Sequence, residues 1–171
     1  KNIQRNKLNN CISENKNLFA LLSEKRYHYI DVDPFGSPVY YLNAAVRGIL
    51  NNGIIACTAT DTATLSGVYP KVCQRRYSAK SFHCPAMHEI GIRILLGALC
   101  REAAKYDKGI EPLSCYSRDH YYRIYVMLRN GTNYANKSIQ NFQLVKSDNM
   151  TFSKKNISDI YIVNILIYIS Q

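Results

Sequence analysis

The stretch Tyr29-Ile30-Asp31-Val32-Asp33-Pro34-Phe35-Gly36-Ser37-Pro38 decides how the rest of the chain reads. A short apolar strand, Tyr27 to Val32, runs into an acid, a proline, an aromatic ring and a glycine. Proline lacks a backbone donor and turns the residue before it away from helix, so the strand ends at Asp33-Pro34. Beyond it, Tyr41, Leu42, Ala45, Val46, Ile49 and Leu50 recur at helical spacing over residues 40–50, and Asn51-Asn52-Gly53 is expected to stop that helix. The next segment, Ile54-Ile55-Ala56-Cys57-Thr58-Ala59-Thr60, is continuously apolar or small, as in a strand buried on both faces, and it too ends at an acid, Asp61. Strand, helix and strand make a βαβ unit. Its two parallel strands put Asp33 and Asp61 at one edge of a sheet, over the crevice where α/β folds bind ligands.

A carboxylate at a strand's carboxyl end can accept a hydrogen bond from an exocyclic amine, while the ring beside it offers a face for a nucleobase. Pro34 fixes the turn, and Gly36 lets the backbone pass close to a ligand. Methyl transfer to an amino group needs this combination, because the nitrogen must be held and relieved of a proton as it attacks. Asp61 has two readings: it lines the base pocket or caps the following helix, and capping is the favoured one.

Around this unit the periodicity predicts a short helix over 18–24, a short basic helix over 69–77 and a long helix over 86–106. The inner face of the long helix carries Met87, Ile90, Ile94, Leu95, Ala98, Leu99 and Ala103. Residues 112–117 and 121–128 read as a strand pair, the second with Tyr122, Ile124, Val126 and Leu128 on one face and Tyr121, Arg123, Tyr125 and Met127 on the other. Residues 1–17 and 132–159 are polar with little periodicity and read as loop or mobile extension. The apolar run from Ile160 to Ile169 falls short of the ~20 residues of a spanning helix, so no membrane partner is expected. Its β-branched density fits an edge strand or a tail.

With 22 Lys and Arg against 12 Asp and Glu, the net charge of +10 favours an anionic partner, nucleic acid first. The six cysteines are spaced too widely for a C-x-x-C pair and read as free thiols in a reducing, intracellular setting, cytoplasmic or nuclear. His88-Glu89 lacks a second histidine four residues on, where Ile92 stands, so no zinc-protease site is present and no metal is expected. The pair reads as local packing at a helix start. Tyr121 and Tyr122 beside Arg118 and Arg123 form an aromatic and basic mixture of the kind that binds single-stranded bases.

Asp33-Pro34-Phe35-Gly36-Ser37-Pro38, Thr58-Ala59-Thr60-Asp61-Thr62-Ala63, Gly67-Val68-Tyr69-Pro70, His88 to Ala98 and Ser114 to Arg123 together resemble the tRNA (guanine-26) N2-dimethyltransferase family, in collinear order over residues 27–131. The resemblance implies an α/β, Rossmann-like class I methyltransferase fold, here the C-terminal half of the sheet with its flanking helices. It also implies S-adenosyl-L-methionine as cofactor and tRNA as partner. Asp33 would be the catalytic residue, Pro34, Phe35, Gly36 and Asp61 would bind the base, and Asp33 and Pro34 would border the donor. Arg75, Arg76, Lys80, Arg118 and Arg123 would contact RNA phosphates.

The family's donor-binding half, with its glycine-containing loop, would lie before residue 27, and the residues there hold no G-x-G. The expected organisation is therefore a partial catalytic domain over 1–131 and a lysine-rich extension with an apolar tail over 132–171. Half a sheet would leave an exposed edge prone to self-association. Two further readings stay open: a non-catalytic RNA-binding fragment, and an amino methyltransferase with another nucleic-acid target.

Overall fold

A computed structural model describes residues 2–144, 146–148, 151–153 and 161–163, with side chains through 141. Its centre is a four-stranded sheet in the order β1 (Tyr27–Val32), β2 (Ile49–Ala59), β4 (Tyr121–Asn130), β3 (Lys108–Arg118). β1 and β2 run parallel, while β4 is antiparallel to both β2 and β3. The parallel pair is joined through α3 (Val39–Gly48), which is the expected βαβ unit. Between β2 and β3 the chain forms α4 (Thr62–Leu65), α5 (Pro70–Tyr77) and the long α6 (Met87–Ala104); α1 (Asn2–Arg5) and α2 (Leu18–Glu24) precede β1. This is a mixed α/β architecture of sheet and flanking helices, as the sequence indicated.

The alternation in β4 sorts its two faces. Tyr122, Ile124, Val126 and Leu128 are fully buried and belong to one core with Ile55 and Cys57 of β2, Leu42 and Val46 of α3, and Ile94, Leu95 and Leu99 of α6. Each such aliphatic side chain removed from water contributes roughly 1.5–3 kcal/mol, so this helix-covered face holds the fold together. The other face carries Tyr29, Asp31, Arg123 and Tyr125, none of them buried.

Besides α1, which forms where loop was expected, and β3, which begins at Lys108 and not at Pro112, two differences from the sequence reading bear on the packing. α3 ends at Gly48 and β2 begins at once at Ile49, so Asn51-Asn52-Gly53 lies inside the strand. α2 comes close at this helix end: a Cβ on Gly48 would sit 3.1 Å from the Leu22 side chain. Lys108 Nζ also donates to the carbonyls of Val46 at 2.7 Å and Ile49 at 3.1 Å, satisfying groups at the helix end. The asparagines form a bulge, across which the register shifts from Tyr27↔Ile49 to Tyr29↔Ile54. Asn51 accepts from the backbone N–H of Asn130, and Asn52 takes a left-handed φ of 60°.

The second difference is α7 (Thr132–Gln140), a helix where the sequence read as loop. Its packed face is made of small residues. Ala135 and Ser138 are buried, and the Ser138 hydroxyl accepts from the Ile110 N–H at 2.9 Å. Gly109 makes room for it, since a Cβ there would lie 2.4 Å from the Tyr134 carbonyl oxygen. A helix docked through Ala, Ser and glycine leaves no hydrophobic stripe to read. Farther on, Phe142–Leu144 pairs antiparallel with Tyr161–Val163, and Lys146–Asp148 with Thr151–Ser153. The rest of the 160–169 run lies outside the described residues. Among the described residues no helix is long and apolar enough to cross a membrane.

Candidate active site

The carboxyl ends of β1 and β2 and the start of β4 meet at one edge of the sheet, because Val32 pairs with Cys57 and Ala59 with Tyr122. Asp33 stands just past β1 at this edge and is exposed. No hydrogen bond or ion pair holds its carboxylate among the described residues. Two residues on, the Phe35 side chain is 105 % exposed and lies wholly in solvent. An exposed carboxylate and an uncovered ring thus stand side by side on one loop.

The loop itself is held firmly. Gly36 adopts φ +85°, a conformation that excludes ordinary side chains, and a Cβ there would meet nothing within 4 Å. The glycine is thus required for the turn, and the space above it is open. Its N–H donates to Thr60 Oγ1 at 2.6 Å and its carbonyl accepts from the Thr60 N–H at 3.0 Å, tying the loop to the end of β2. Ser37, itself buried, bonds through Oγ to the Tyr77 hydroxyl at 2.9 Å, and that hydroxyl donates to Asp61 Oδ1 at 2.7 Å. Burial and the Asp61 charge push the Tyr77 hydroxyl far above its ordinary range, so it remains a donor at any working pH.

Asp61 occupies the N-cap position of α4 but makes no side-chain cap hydrogen bond, which corrects the favoured capping role. Its carboxylate instead takes Tyr77 and, at 3.5 Å, Arg76, and its side chain is only 10 % exposed. Tyr77, the centre of this network, was not singled out in the sequence: it lies forty positions from Ser37, and no local pattern links them.

At the same edge His88, on the first turn of α6, shares Nδ1 with the Tyr122 hydroxyl at 3.1 Å and Ser117 Oγ at 3.4 Å. Glu89 holds Arg93 one turn on. The pair packs locally, as its sequence position indicated. Gly91 lets α6 lie on the Tyr122 ring, since a Cβ there would be 3.0 Å away.

Of the basic residues singled out, Arg75, Lys80 and Arg118 are exposed. Arg76 is shared with Asp61, and Arg123 is committed to the sheet, its guanidinium donating to both carboxylate oxygens of Asp31 at 2.9 and 2.6 Å and also to Thr58. All six cysteines are free thiols, and four of them are buried.

The family model described as N2,N2-dimethylguanosine tRNA methyltransferase matches residues 1–166. The tRNA (guanine(26)-N(2))-dimethyltransferase of Thermococcus kodakarensis is 45 % identical over 122 residues, which are 71 % of this chain and 32 % of that protein. The enzyme of the same description from Pyrococcus furiosus is 42 % identical over 142 residues, 82 % of this chain and 37 % of that one. The solved structure of Trm1 from Pyrococcus horikoshii in complex with S-adenosyl-L-methionine superposes with a TM-score of 0.80 at 35 % identity, covering 85 % of this chain and 42 % of its own. The chain spans about a third of the length of the curated relatives it matches. On the breadth of the family match and the level of identity, this chain belongs to the N2,N2-dimethylguanosine tRNA methyltransferase family.

Proposed function

We propose that this chain forms the target-base side of an S-adenosyl-L-methionine-dependent methyltransferase acting on the exocyclic N2 amine of guanine-26 in tRNA, with one and then two methyl groups added. The observation that carries the reading is the Asp33 carboxylate, unpartnered among the described residues beside the uncovered Phe35 ring. The relatives' shared description and the donor bound in the solved neighbour support it.

The residues present fit one side of a donor site. Asp33 and Pro34 would border it, and the open space at Gly36 leaves room there. S-adenosyl-L-methionine, when bound, supplies an electrophilic methyl group. Asp33 accepts a hydrogen bond from the guanine amine, orients its lone pair and takes up the proton the nitrogen loses. Phe35 stacks on a base drawn out of its helix, with Pro34 shaping the turn beneath it. Asp61, through Tyr77 and Ser37, keeps the loop in place. Arg75 and Lys80 contact phosphates directly, Arg118 does so on turning from the exposed Asp119 carboxylate 3.6 Å away, and Arg76 and Arg123 would first have to leave Asp61 and Asp31.

Methyl transfer from labelled donor to a tRNA transcript tests this. The expected result is incorporation that disappears when guanine-26 is replaced by adenine and falls by about 10²–10⁴-fold in Asp33→Asn. Donor binding and transfer both absent would sink the enzymatic reading; methylation at another base would redirect it. A second reading, RNA binding without catalysis, is favoured by the net charge of +10. It predicts salt-sensitive tRNA binding with no heat of donor binding in calorimetry.

A further inference from the structure

A groove of about 720 Å³ opens between α3, α5 and α6 on the helix-covered side, and its wall carries Arg75, Arg76, Arg101 and Lys105 against one carboxylate, Glu102. The groove is continuous with the loop described above. Tyr40, which lines it, follows the loop directly, and Tyr77 lines it too while its hydroxyl grips Ser37. The Tyr40 side chain is 61 % exposed. We propose that this groove is an RNA-binding track: it takes a single-stranded run of the polynucleotide backbone on Arg75 and Lys105, with a base lying on the Tyr40 ring.

The charges are arranged for an anion. Arg75 and Arg76 sit in the last turn of α5, whose end would otherwise present carbonyl oxygens to the groove, and Arg101 donates to the Tyr77 carbonyl there. Lys105 bridges to Glu102 at 2.6 Å with its own side chain 60 % exposed, so it can turn to a phosphate at little cost. Arg75 has only a 3.4 Å bond to the Lys71 carbonyl one turn back. Cations beside an exposed ring are the chemistry of sequence-tolerant single-strand binding, in which phosphates neutralise Lys and Arg and bases stack on aromatic faces. This track would hold nucleotides flanking the one presented to Asp33; it rests on the RNA-substrate reading but does not need the transfer step.

The test is fluorescence anisotropy of the 171-residue chain with a labelled oligouridylate of about 12 nucleotides, within the usual site sizes. In Arg75→Ala/Lys105→Ala the slope of log affinity against log salt should fall by roughly 1.5, close to the ~0.7 per cation of single strands. Tyr40→Ala should weaken binding by about tenfold at unchanged slope. Glu102→Gln, which removes the one carboxylate, should tighten it and guards against a double variant that fails to fold. Wild-type affinity and slope in the double variant, with the circular dichroism melt intact, would overturn the track. So would a polyglutamate that binds through Arg75 and Lys105 while oligouridylate binding ignores them, since the groove would then serve an acidic protein segment. A chain that binds oligouridylate through the groove yet transfers no methyl group to tRNA removes the enzymatic reading and keeps the track.

Discussion

The Tyr77 hydroxyl donates to the Asp61 carboxylate at 2.7 Å from a side chain that is 1 % exposed, and so joins the end of α5 to the end of β2. Through its second contact, to Ser37, the same hydroxyl holds the loop that carries Asp33 and Phe35. Tyr77→Phe keeps the ring and deletes the hub, leaving two buried polar groups short of a partner. The expected loss is about 1–3 kcal/mol in urea unfolding. On the proposed function, methyl transfer should fall through kcat with KM for tRNA nearly unchanged, because the loop that carries Asp33 and Phe35 loosens while the exposed basic residues stay in place.

Phe35 has the opposite character. With the ring wholly in solvent, Phe35→Ala should leave unfolding free energy within about 0.5 kcal/mol of the parent. Methyl transfer should nevertheless drop, with the loss restored in part by Phe35→Tyr. A marked fall in stability on removing Phe35 would show that the ring packs in the folded chain after all.

Gly67 is a backbone necessity. It adopts φ +95°, and a Cβ would lie 2.2 Å from the His83 nitrogen and from the Phe82 carbonyl carbon. Neither atom can swing aside as a side chain would. Gly67→Ala should cost at least about 2 kcal/mol, read as a lowered melting temperature, or abolish soluble expression.

Alkali should unfold the chain earlier than its surface charge implies. Burial pushes the Cys100 thiol up to about 12 and Cys115 to about 11 from an ordinary 9.0, and raises Cys57 and Cys73 as well. Groups with raised native pKa values bind protons more tightly folded than unfolded. Their contribution is complete below pH 9 and is lost as pH climbs from there toward the native values. Melting temperature should therefore fall above pH 9, and a thiol reagent at pH 8 should label exposed Cys11 quickly and the four buried cysteines only on unfolding.

Lys108 should show the reverse sign. Burial first, and the Arg26 charge second, lower its pKa from 10.5, so the unfolded chain binds this proton more tightly and stability gains as pH rises through the window below 10.5. Lys108→Met should remove that gain, seen as the difference between the two chains' stability curves. At neutral pH it should also cost about 1–2 kcal/mol, because the carbonyls of Val46 and Ile49 lose their donor.

Much of this molecule was legible in one dimension. Proline after Asp33 and the apolar run before it set the end of β1, the continuous apolar segment marked the buried part of β2, and strict alternation assigned both faces of β4. These follow from rules acting over a few residues: excluded backbone angles, a period of two, a period of 3.6. The pairing of Asp33 and Asp61 at one edge was legible as well, since a parallel crossover admits one arrangement.

What only the tertiary structure decided depends on groups distant in sequence. Asp61 could cap α4 by its position, but Tyr77 arrives from sixteen residues on and takes the carboxylate. Arg123 reads as a free cation until the sheet brings Asp31 across from ninety-two residues away. α7 forms because Gly109 and Ile110 offer it a seat, not because its own residues demand a helix. Local sequence determines which backbone angles and which face a residue takes; which partner satisfies a polar side chain is settled only when the chain has closed on itself, because charge and hydrogen bonding act through space.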